Sequence, residues 1–399
     1  MTPAVAAAPR PRRPAPSVPA SLARRHIVDV TLFYAPTSGG VRRYLLAKHG
    51  WLQAYTSVRH TIVVPGRRTG GLPCDIVRFG SPAVPFGNGY RLPVRMRAFR
   101  EQLSRLAPDL IEVGDPYQLA WHSLRVARER RIAAVAFCHS DLITLAGALL
   151  GPLGGRTAAR YLQRTYAGFD LVLAPSATVA ARLESAGVRR VEVQPLGVDV
   201  VTLSPAARDP SIRSLLGLTP GQRLLVFAGR LSPEKRVGDL MAATALLGPD
   251  YHLLLIGGSQ FEARGPNVTV FGYQRDPRQL ARILASCDAF VHAGDQETFG
   301  LIALEAMACG LPVVTARAGA LVELVDESVG GTFAARDPRD LAAVVQALFG
   351  RDTAAIGRAA RRRAEAHSWE ASFTQLVGRY SRLLPSSSLA SVPLSHAAG

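Results

Sequence analysis

Two glutamates and two cations in the C-terminal half have the types and the spacing for chemistry on a charged sugar donor. Glu297 and Glu305 lie eight residues apart around a predicted strand-to-helix turn. Arg230 and Lys235 follow the end of an earlier predicted strand. Carboxylates accept hydrogen bonds from vicinal diols, and cations neutralise a diphosphate whose charge rises as its bond to a sugar breaks. Together these residues predict a site for a nucleotide sugar.

Lysine is scarce in this chain, and its scarcity strengthens the case for Lys235. Lys48 and Lys235 are the two lysines among 47 basic residues, and the others are arginines. Lysine is a compact point charge, whereas the guanidinium of arginine is planar and delocalised. We infer that a point charge is needed at position 235. The alternative for any one of these cations, taken alone, is a solvated surface charge.

A helix predicted over Leu301–Cys309 supplies the second half of this site. Its N-terminal amides would face the cleft and present donors to phosphate. Glu305 lies one turn into this helix among apolar neighbours, where an unpaired carboxylate would be costly. The alternative is that Glu297 merely favours the helix N-terminus and that Glu305 faces solvent.

Short apolar runs typical of strands alternate with helical periods from residue 26 onward, which indicates parallel sheets covered by helices. The alternation pauses at a segment rich in Pro and Ser near residues 203–210 and then restarts. We therefore expect an α/β chain of two doubly wound, Rossmann-like domains, with ligands bound in the cleft between them. The predicted strands are Ile27–Phe33, His60–Val64, Leu110–Val113, Ala133–Cys138, Leu171–Ala174, Leu224–Ala228, His252–Ile256, Val268–Phe271, Ala289–His292 and Val313–Thr315.

The chain of 399 residues is too long for one ordinary core, so we divide it. The predicted segments are a disordered basic tail (1–24), an acceptor-binding domain (25–203), a nucleotide-sugar-binding domain (204–367), a packing helix (368–385) and a disordered tail (386–399). The first tail lacks the apolar region of a secretory signal, and an organelle-targeting peptide is the alternative.

These motifs resemble glycosyltransferase family 4, which consists of retaining enzymes of the GT-B fold. The likeness rests on Arg230 with Lys235, on the run E-T-F-G-L-I-A-L-E from Glu297 to Glu305, and on G-L-P-V-V at residues 310–314. It extends from about residue 27 to residue 384. The resemblance implies that Arg230 and Lys235 bind the donor diphosphate. It also implies that Glu305 holds the ribose and that Glu297 contacts the transferred sugar.

The resemblance also implies roles for residues that are weak signals alone. Gly39 and Gly40 match a loop that approaches donor phosphate and acceptor, although a bare glycine pair is more often a tight turn. His139 matches the family's active-site histidine, which contacts the transferred sugar, although a lone histidine after an apolar strand is more often structural. The other predicted donor-binding residues are Tyr273, in a loop expected to touch the base, Phe299, and Gly300 and Leu301, through their backbone amides.

We expect transfer without a metal or another cofactor. No D-x-D motif occurs, and the nearest substitute is Asp295-Gln296-Glu297, so a diphosphate-bound metal has no obvious ligands. Neutralisation of charge would then fall to Arg230, Lys235 and the helix dipole. Retention by front-face attack, assisted by the leaving phosphate, is implied by the resemblance alone.

Composition limits the compartment and the membrane topology. The four cysteines are far apart with no C-x-x-C, which argues against a zinc site or a disulfide framework and favours a reducing compartment. The longest charge-free stretch, residues 142–155, is shorter than the roughly 18 apolar residues of a spanning helix. We expect a cytoplasmic protein, with peripheral binding to the cytoplasmic membrane face as an open alternative.

The net charge of +17 is concentrated in the first half. Residues 1–204 carry 27 Lys and Arg against 12 Asp and Glu, or +15, whereas residues 205–399 carry 20 against 18, or +2. A basic amphipathic stretch, Arg91–Leu106, could lie on an anionic membrane, but a sheet-covering helix is the preferred interpretation. The motif F-Y-A-P-T-S-G-G resembles family members that glycosylate glycerolipids or phosphoinositides. A lipid acceptor at an anionic membrane surface is therefore the main hypothesis.

Three functional hypotheses follow. The first is transfer of a hexose from a UDP- or GDP-linked donor to a membrane lipid. The second keeps the fold but makes the chain a soluble-acceptor or polysaccharide glycosyltransferase, or a nucleotide-sugar epimerase. The third, a basic nucleic-acid-binding module, ranks last, because no nucleic-acid motif occurs and few aromatic residues interleave with the arginines.

Overall fold

The computed structural model describes residues 18–34, 39–66, 75–83, 91–258 and 265–384. Its N-terminal sheet consists of β1 (His26–Val30), β2 (Arg59–Gly66), β3 (Ile76–Gly80), β4 (Leu110–Val113), β5 (Ala133–Phe137), β6 (Leu171–Ala174) and β7 (Val191–Val193). All neighbours pair in parallel in the order β3-β2-β1-β4-β5-β6-β7. The order reverses between β1 and β4, where doubly wound sheets open a crevice.

The C-terminal sheet repeats this plan. It consists of β8 (Arg223–Ala228), β9 (Tyr251–Ile256), β10 (Val268–Phe271), β11 (Ala289–His292), β12 (Val313–Ala316) and β13 (Gly330–Phe333). These strands are parallel in the order β10-β9-β8-β11-β12-β13, and the order reverses between β8 and β11. Two Rossmann-like α/β domains therefore follow one another along the chain, as predicted.

Helices cover both faces of each sheet, as all-parallel sheets require. The N-terminal helices are α1 (Gly40–Tyr55), α2 (Met96–Arg105), α3 (Gln118–Arg130), α4 (Leu142–Tyr166) and α5 (Ala177–Ser185). The later helices are α6 (Ser211–Leu215), α7 (Val237–Leu247), α8 (Pro277–Ala285), α9 (Leu301–Ala308), α10 (Leu321–Leu324), α11 (Pro338–Phe349), α12 (Thr353–Ala366) and α13 (Trp369–Leu383). Short 3-10 helices lie at Ala20–Leu22, Pro205–Ala207 and Pro233–Lys235.

Part of the predicted N-terminal tail has a defined structure. The 3-10 helix Ala20–Leu22 places the side chain of Leu22 in the hydrophobic core, where it is fully buried. The prediction of disorder is therefore wrong for residues 18–24, because one leucine in this basic segment finds a buried position. Residues 1–17 and 386–399 lie outside the described part of the chain.

The amphipathic stretch predicted over Arg91–Leu106 contains α2, which covers the N-terminal sheet. Phe99 and Leu103 are fully buried in the core on that sheet. The preferred interpretation of this stretch is therefore confirmed for α2, whereas Leu92 and Val94, which precede the helix, are 53% and 55% exposed.

Lys48, the second lysine of the chain, is buried in the N-terminal domain. Its Nζ donates to Asp29 Oδ1 at 2.7 Å, to Glu112 Oε1 at 3.1 Å and to the Tyr380 hydroxyl at 2.7 Å. Tyr380 lies on α13, so the last helix of the described residues returns to the first domain. The scarcity of lysine therefore marks a buried structural charge as well as the predicted site.

Helix α4 is broken at Gly151, whose φ of 67° and ψ of −165° are not helical. By length and composition, its 25 residues are the one candidate for a membrane span in the described chain. The break divides α4 into two arms, neither of which reaches 18 residues. Pro152 follows the break directly and has no amide hydrogen to continue the hydrogen bonds of the first arm.

Candidate active site

The N-terminus of α9 lies at the carboxyl end of the C-terminal sheet and faces α1 of the other domain. Gly300 precedes the helix with a φ of +89° and carries no capping side chain. A Cβ at this position would lie 2.4 Å from Leu321 Cδ2. Only glycine fits this turn, and the open helix end is suited to an anion.

Glu297 and Lys235 form an ion pair at this end of the sheet. His292, at the end of β11, lies with its Nε2 at 3.1 Å from Glu297 Oε1. The Gly294 amide donates to His292 Nδ1, so the ring proton is on Nε2 and is donated to the carboxylate. Burial alone would raise the pKa of Glu297, but attraction to Lys235 and His292 outweighs burial and holds it far below its usual range. Glu297 is therefore a permanently charged acceptor.

Glu305 is bound across the cleft by a residue that sequence reasoning missed. Arg43, on α1 of the N-terminal domain, donates to Glu305 Oε1. The charge of Glu305 is the main reason why the pKa of Arg43 is raised, and Tyr273 adds to it. Glu305 Oε2 is buried and has no hydrogen-bond partner among the described residues. One oxygen of this carboxylate is therefore available to a ligand.

His139 follows β5 and lies against the same cleft. Its ring stacks on Phe137 with centroids 4.2 Å apart, and Tyr44 packs on it at 5.1 Å. Desolvation lowers the pKa of His139 to about 3, so the ring is neutral near pH 7. Its carbonyl accepts a hydrogen bond from Thr298 Oγ1 at 3.3 Å, which joins the two domains.

The structure brings most of the remaining predicted residues to the same place. A Cβ on Gly40 would lie 3.8 Å from Leu301 Cδ2, so the Gly39–Gly40 turn meets the N-terminus of α9. Tyr273 is 38% exposed and faces Arg43, and Phe299 is buried. Residues 35–38, which continue the predicted Gly-Gly loop, lie outside the described residues.

The structure does not bring the side chain of Arg230 to Lys235. The Arg230 side chain is 75% exposed and its NH2 group lies 3.2 Å from Glu234, so it does not join the ion pair of Lys235. A pairing of Arg230 with Lys235 on one diphosphate would require this side chain to turn into the cleft.

The missed residues carried weak sequence signals. His292 is the last residue of β11 and His139 lies two residues beyond β5, so both stand near the carboxyl end of a strand, and this placement could have identified His292. Arg43 lies on the first turn of α1 after the glycine pair. Its contact with Glu305 depends on how the two domains dock, which one domain's pattern does not reveal.

No group of three or more His, Cys, Asp or Glu side chains is close enough to hold a metal among the residues that the structure describes. Asp295, the first residue of the D-x-D substitute, pairs with Arg336 at 2.9 Å. Cys138, Cys287 and Cys309 are free and buried.

Two doubly wound domains whose strand ends enclose paired carboxylates and an open helix N-terminus define a nucleotide-sugar glycosyltransferase of the GT-B fold. Known proteins agree with this class. Residues 38–201 match the family described as Glycosyltransferase Family 4, and residues 222–351 match Glycosyl transferases group 1. The chain belongs to glycosyltransferase family 4.

Relatives with curated functions cover most of the chain. The GDP-mannose-dependent alpha-(1-6)-phosphatidylinositol dimannoside mannosyltransferase of Mycobacterium tuberculosis is 35% identical over 86% of this chain and 93% of its own length. A GDP-mannose-dependent alpha-mannosyltransferase of the same species is 31% identical over 75% of this chain and 80% of its own. Sucrose-phosphate synthase from Thermosynechococcus elongatus shares the fold, with a TM-score of 0.74 and 21% identity over 90% of this chain and 99% of its own.

Proposed function

We propose that this protein transfers mannose from GDP-mannose to a phosphatidylinositol-type mannolipid, with retention, at the cytoplasmic face of a membrane. One observation carries the donor and the acceptor: the relative that is 35% identical over nearly its whole length is named for both. The formal charge of +15 on residues 1–204 supports an acceptor with an anionic headgroup.

The geometry of the candidate site supports the following position for each part of the donor. The diphosphate would lie at the N-terminus of α9 beside Lys235, where backbone amides and a cation meet it. The free oxygen of Glu305 would accept from the ribose hydroxyls. Glu297, held charged by its two partners, would accept from hydroxyls of the mannose. Arg230 would turn from Glu234 toward the diphosphate when the donor is present.

The transfer breaks the bond between mannose C1 and the diphosphate oxygen, and the electron pair leaves with GDP. The acceptor hydroxyl oxygen forms the new bond to C1 on the same face, and its proton passes to the leaving diphosphate oxygen. Lys235 and the α9 amides stabilise the growing negative charge. His139 is neutral, so its part is a hydrogen bond to the sugar and not transfer of a proton from an imidazolium.

We propose that no metal takes part, because Lys235 and the open end of α9 can neutralise the leaving group. The test is turnover in EDTA compared with turnover in added Mg²⁺ or Mn²⁺. The expected rate is the same in all three. A rate that EDTA abolishes and Mg²⁺ restores would contradict metal independence, while leaving the proposed donor and acceptor intact.

The decisive experiment is a donor screen in the presence of vesicles that carry mannosylated phosphatidylinositol. GDP release and the mass of the product lipid are measured with GDP-mannose, UDP-glucose and UDP-galactose. We expect GDP release and a lipid gain of one hexose with GDP-mannose only. Transfer that needs no lipid would point to a soluble acceptor, and conversion of the donor into another nucleotide sugar would point to an epimerase. Both results overturn the proposal.

A further inference from the structure

The broken helix α4 forms a hairpin with an apolar tip. Its two arms, residues 142–150 and 152–166, pack through glycines: a Cβ on Gly154 would lie 2.5 Å from the Ala146 carbonyl oxygen, and one on Gly155 3.7 Å from Gly147 Cα. Four leucines around the turn are exposed, namely Leu145 (48%), Leu149 (72%), Leu150 (74%) and Leu153 (73%). Contiguous exposed leucines on a soluble surface mark a site of interaction.

The hairpin points away from the sheet on the side of the active site. Its first arm begins after Asp141, which follows His139 at the carboxyl end of β5. On its second arm, the Tyr161 hydroxyl donates to the carbonyl of Pro116, just beyond the carboxyl end of β4. From Tyr161 to the break is ten residues, so the tip projects about 15 Å beyond that edge at 1.5 Å per residue. The leucines are therefore held out beside the cleft.

Charge and aromatic side chains on the hairpin fit a lipid surface. Arg156, Arg160 and Arg164 are exposed on the second arm, and residues 142–169 include no acidic residue. Behind them, Trp121 is 55% exposed with its ring 6.0 Å from that of Tyr161. Leucines at the tip suit the hydrocarbon of a bilayer, and the arginines and the Trp–Tyr pair further along the hairpin suit its headgroup region, which attracts cations and aromatic rings.

We propose that the leucine tip of α4 inserts into an anionic bilayer and anchors the cleft over its lipid acceptor. A second copy of this chain is a poorer occupant, because pairing two tips would bring six arginines of like charge together. Insertion of the tip is argued from the hairpin alone. The statement that a lipid acceptor lies beneath the cleft rests on the proposed function.

The test is sedimentation with vesicles of phosphatidylcholine containing phosphatidylglycerol, with no donor or acceptor present. The variant is Leu149→Glu/Leu150→Glu, and the control is Leu215→Glu, which changes a leucine that is 73% exposed on α6. We expect the double variant to lose at least tenfold in vesicle affinity while the control keeps it. Arg156→Gln/Arg160→Gln should weaken binding to anionic vesicles and reduce its salt dependence.

Circular dichroism and GDP-mannose hydrolysis in water, without vesicles, check that the variants fold. Equal vesicle binding by wild type and the leucine double variant would overturn the proposal. So would a wild-type dimer that the double variant converts to a monomer, since the tip would then be covered by protein. Vesicle binding that depends on the tip, without any mannosyl transfer, would leave this inference standing while the proposed function fails.

Discussion

Two neighbours on one oxygen keep the carboxylate of Glu297 charged. Lys235 and the Nε2 proton of His292 both approach its Oε1. Burial disfavours the charge, and these partners restore it. The second oxygen can therefore accept from a ligand without any change in protonation. A permanently charged acceptor in a partly dry cleft is the preorganised group that stabilises a developing positive charge on a sugar.

Replacing Glu297 by glutamine should slow transfer and lower the stability of the fold without unfolding it. Glutamine keeps the shape but removes the charge, so kcat should fall by roughly 100-fold or more. Lys235 loses its carboxylate, which should lower the free energy of unfolding by about 1–3 kcal/mol. The measurements are GDP release at saturating donor and urea unfolding, with the exposed Glu327→Gln as the matched control. A wild-type kcat in the Glu297→Gln variant would mean that Glu297 takes no part in the transfer.

Glu305→Gln should act on binding instead of turnover. A ribose hydroxyl held by a charged acceptor contributes equally to the ground state and the transition state, so its loss raises KM. We expect the donor KM to rise roughly 10- to 100-fold with kcat nearly unchanged, because hydrogen bonds to charged groups contribute about 1.5–3 kcal/mol. Initial rates across a range of donor concentrations separate the two constants. A fall in kcat at constant KM would reassign Glu305 to the transferred sugar.

Asp115 links stability to pH beside the cleft. Burial raises the pKa of its carboxyl from 3.8 to about 6. The folded chain therefore holds this proton more tightly than the unfolded chain, and stability falls as the pH rises from about 4 to about 6. Asp115→Asn lacks this titration, so its stability relative to wild type should improve by about 2 kcal/mol between pH 4 and pH 7. Urea unfolding across this range measures it, and parallel pH profiles for both proteins would contradict it.

Site residues could be predicted from the sequence where the residue type and the pattern of a single domain were enough to place them. Lys235 and Glu297 were predicted to share a site, and the structure pairs them. Arg43 was missed because its partner is more than 250 residues away on the other domain. The role of each site residue in binding the donor stays a prediction.

The turn before α9 requires a glycine at position 300. Gly300→Ala forces a residue with a Cβ into a φ of +89° and against Leu321. It should lower the free energy of unfolding by about 1–3 kcal/mol and weaken donor binding, because the helix end must shift. Gly238→Ala is the control: it lies inside α7 with open space around its Cβ, so it should be neutral or stabilise by up to about 1 kcal/mol. Thermal unfolding and donor titration measure both effects. Equal stability and equal donor affinity in the two variants would show that position 300 does not require glycine.

Strands in the sheet interiors were predictable and several edge strands were not. Interior strands such as β8 and β11 are buried on both faces, so they appear as continuous apolar runs. The missed strands β3, β7 and β13 all lie at edges. β7 is half-buried throughout, and β13 begins with two glycines, so neither produces such a run. Whether a strand could be predicted therefore depended on its position in the sheet, which the local sequence does not show.

At the scale of the whole molecule, polar contacts hold the two domains together across the cleft. Glu323, on α10, accepts from the amides of Ala177 and Thr178 at 2.9 and 2.6 Å and so caps α5 of the other domain. Arg43 with Glu305 and Thr298 with His139 add to this closure. The described structure is a closed arrangement.

Removing the Glu323 contact should favour an open molecule. Glu323→Ala leaves the α5 amides to water, and these contacts are exposed, so the expected rise in donor KM is only a few-fold. Small-angle scattering should show a larger radius of gyration without donor and the wild-type value with saturating donor. The control is Glu365→Ala, which removes a carboxylate paired with Arg361 on the same helix, α12. An unchanged radius in both variants would mean that the Glu323 cap does not hold the cleft closed.

The return of α13 to the first domain has a consequence for folding during synthesis. Tyr380 completes the hydrogen bonds of Lys48, and Phe373 packs on Trp51 with centroids 5.9 Å apart. These partners leave the ribosome only after both domains have been made. A nascent N-terminal domain therefore holds a buried cation and an apolar face that lack their partners until α13 has been made. The first domain is thus completed only after the second has been synthesised, and a chain cut short before Trp369 would expose that face to chaperones and proteases.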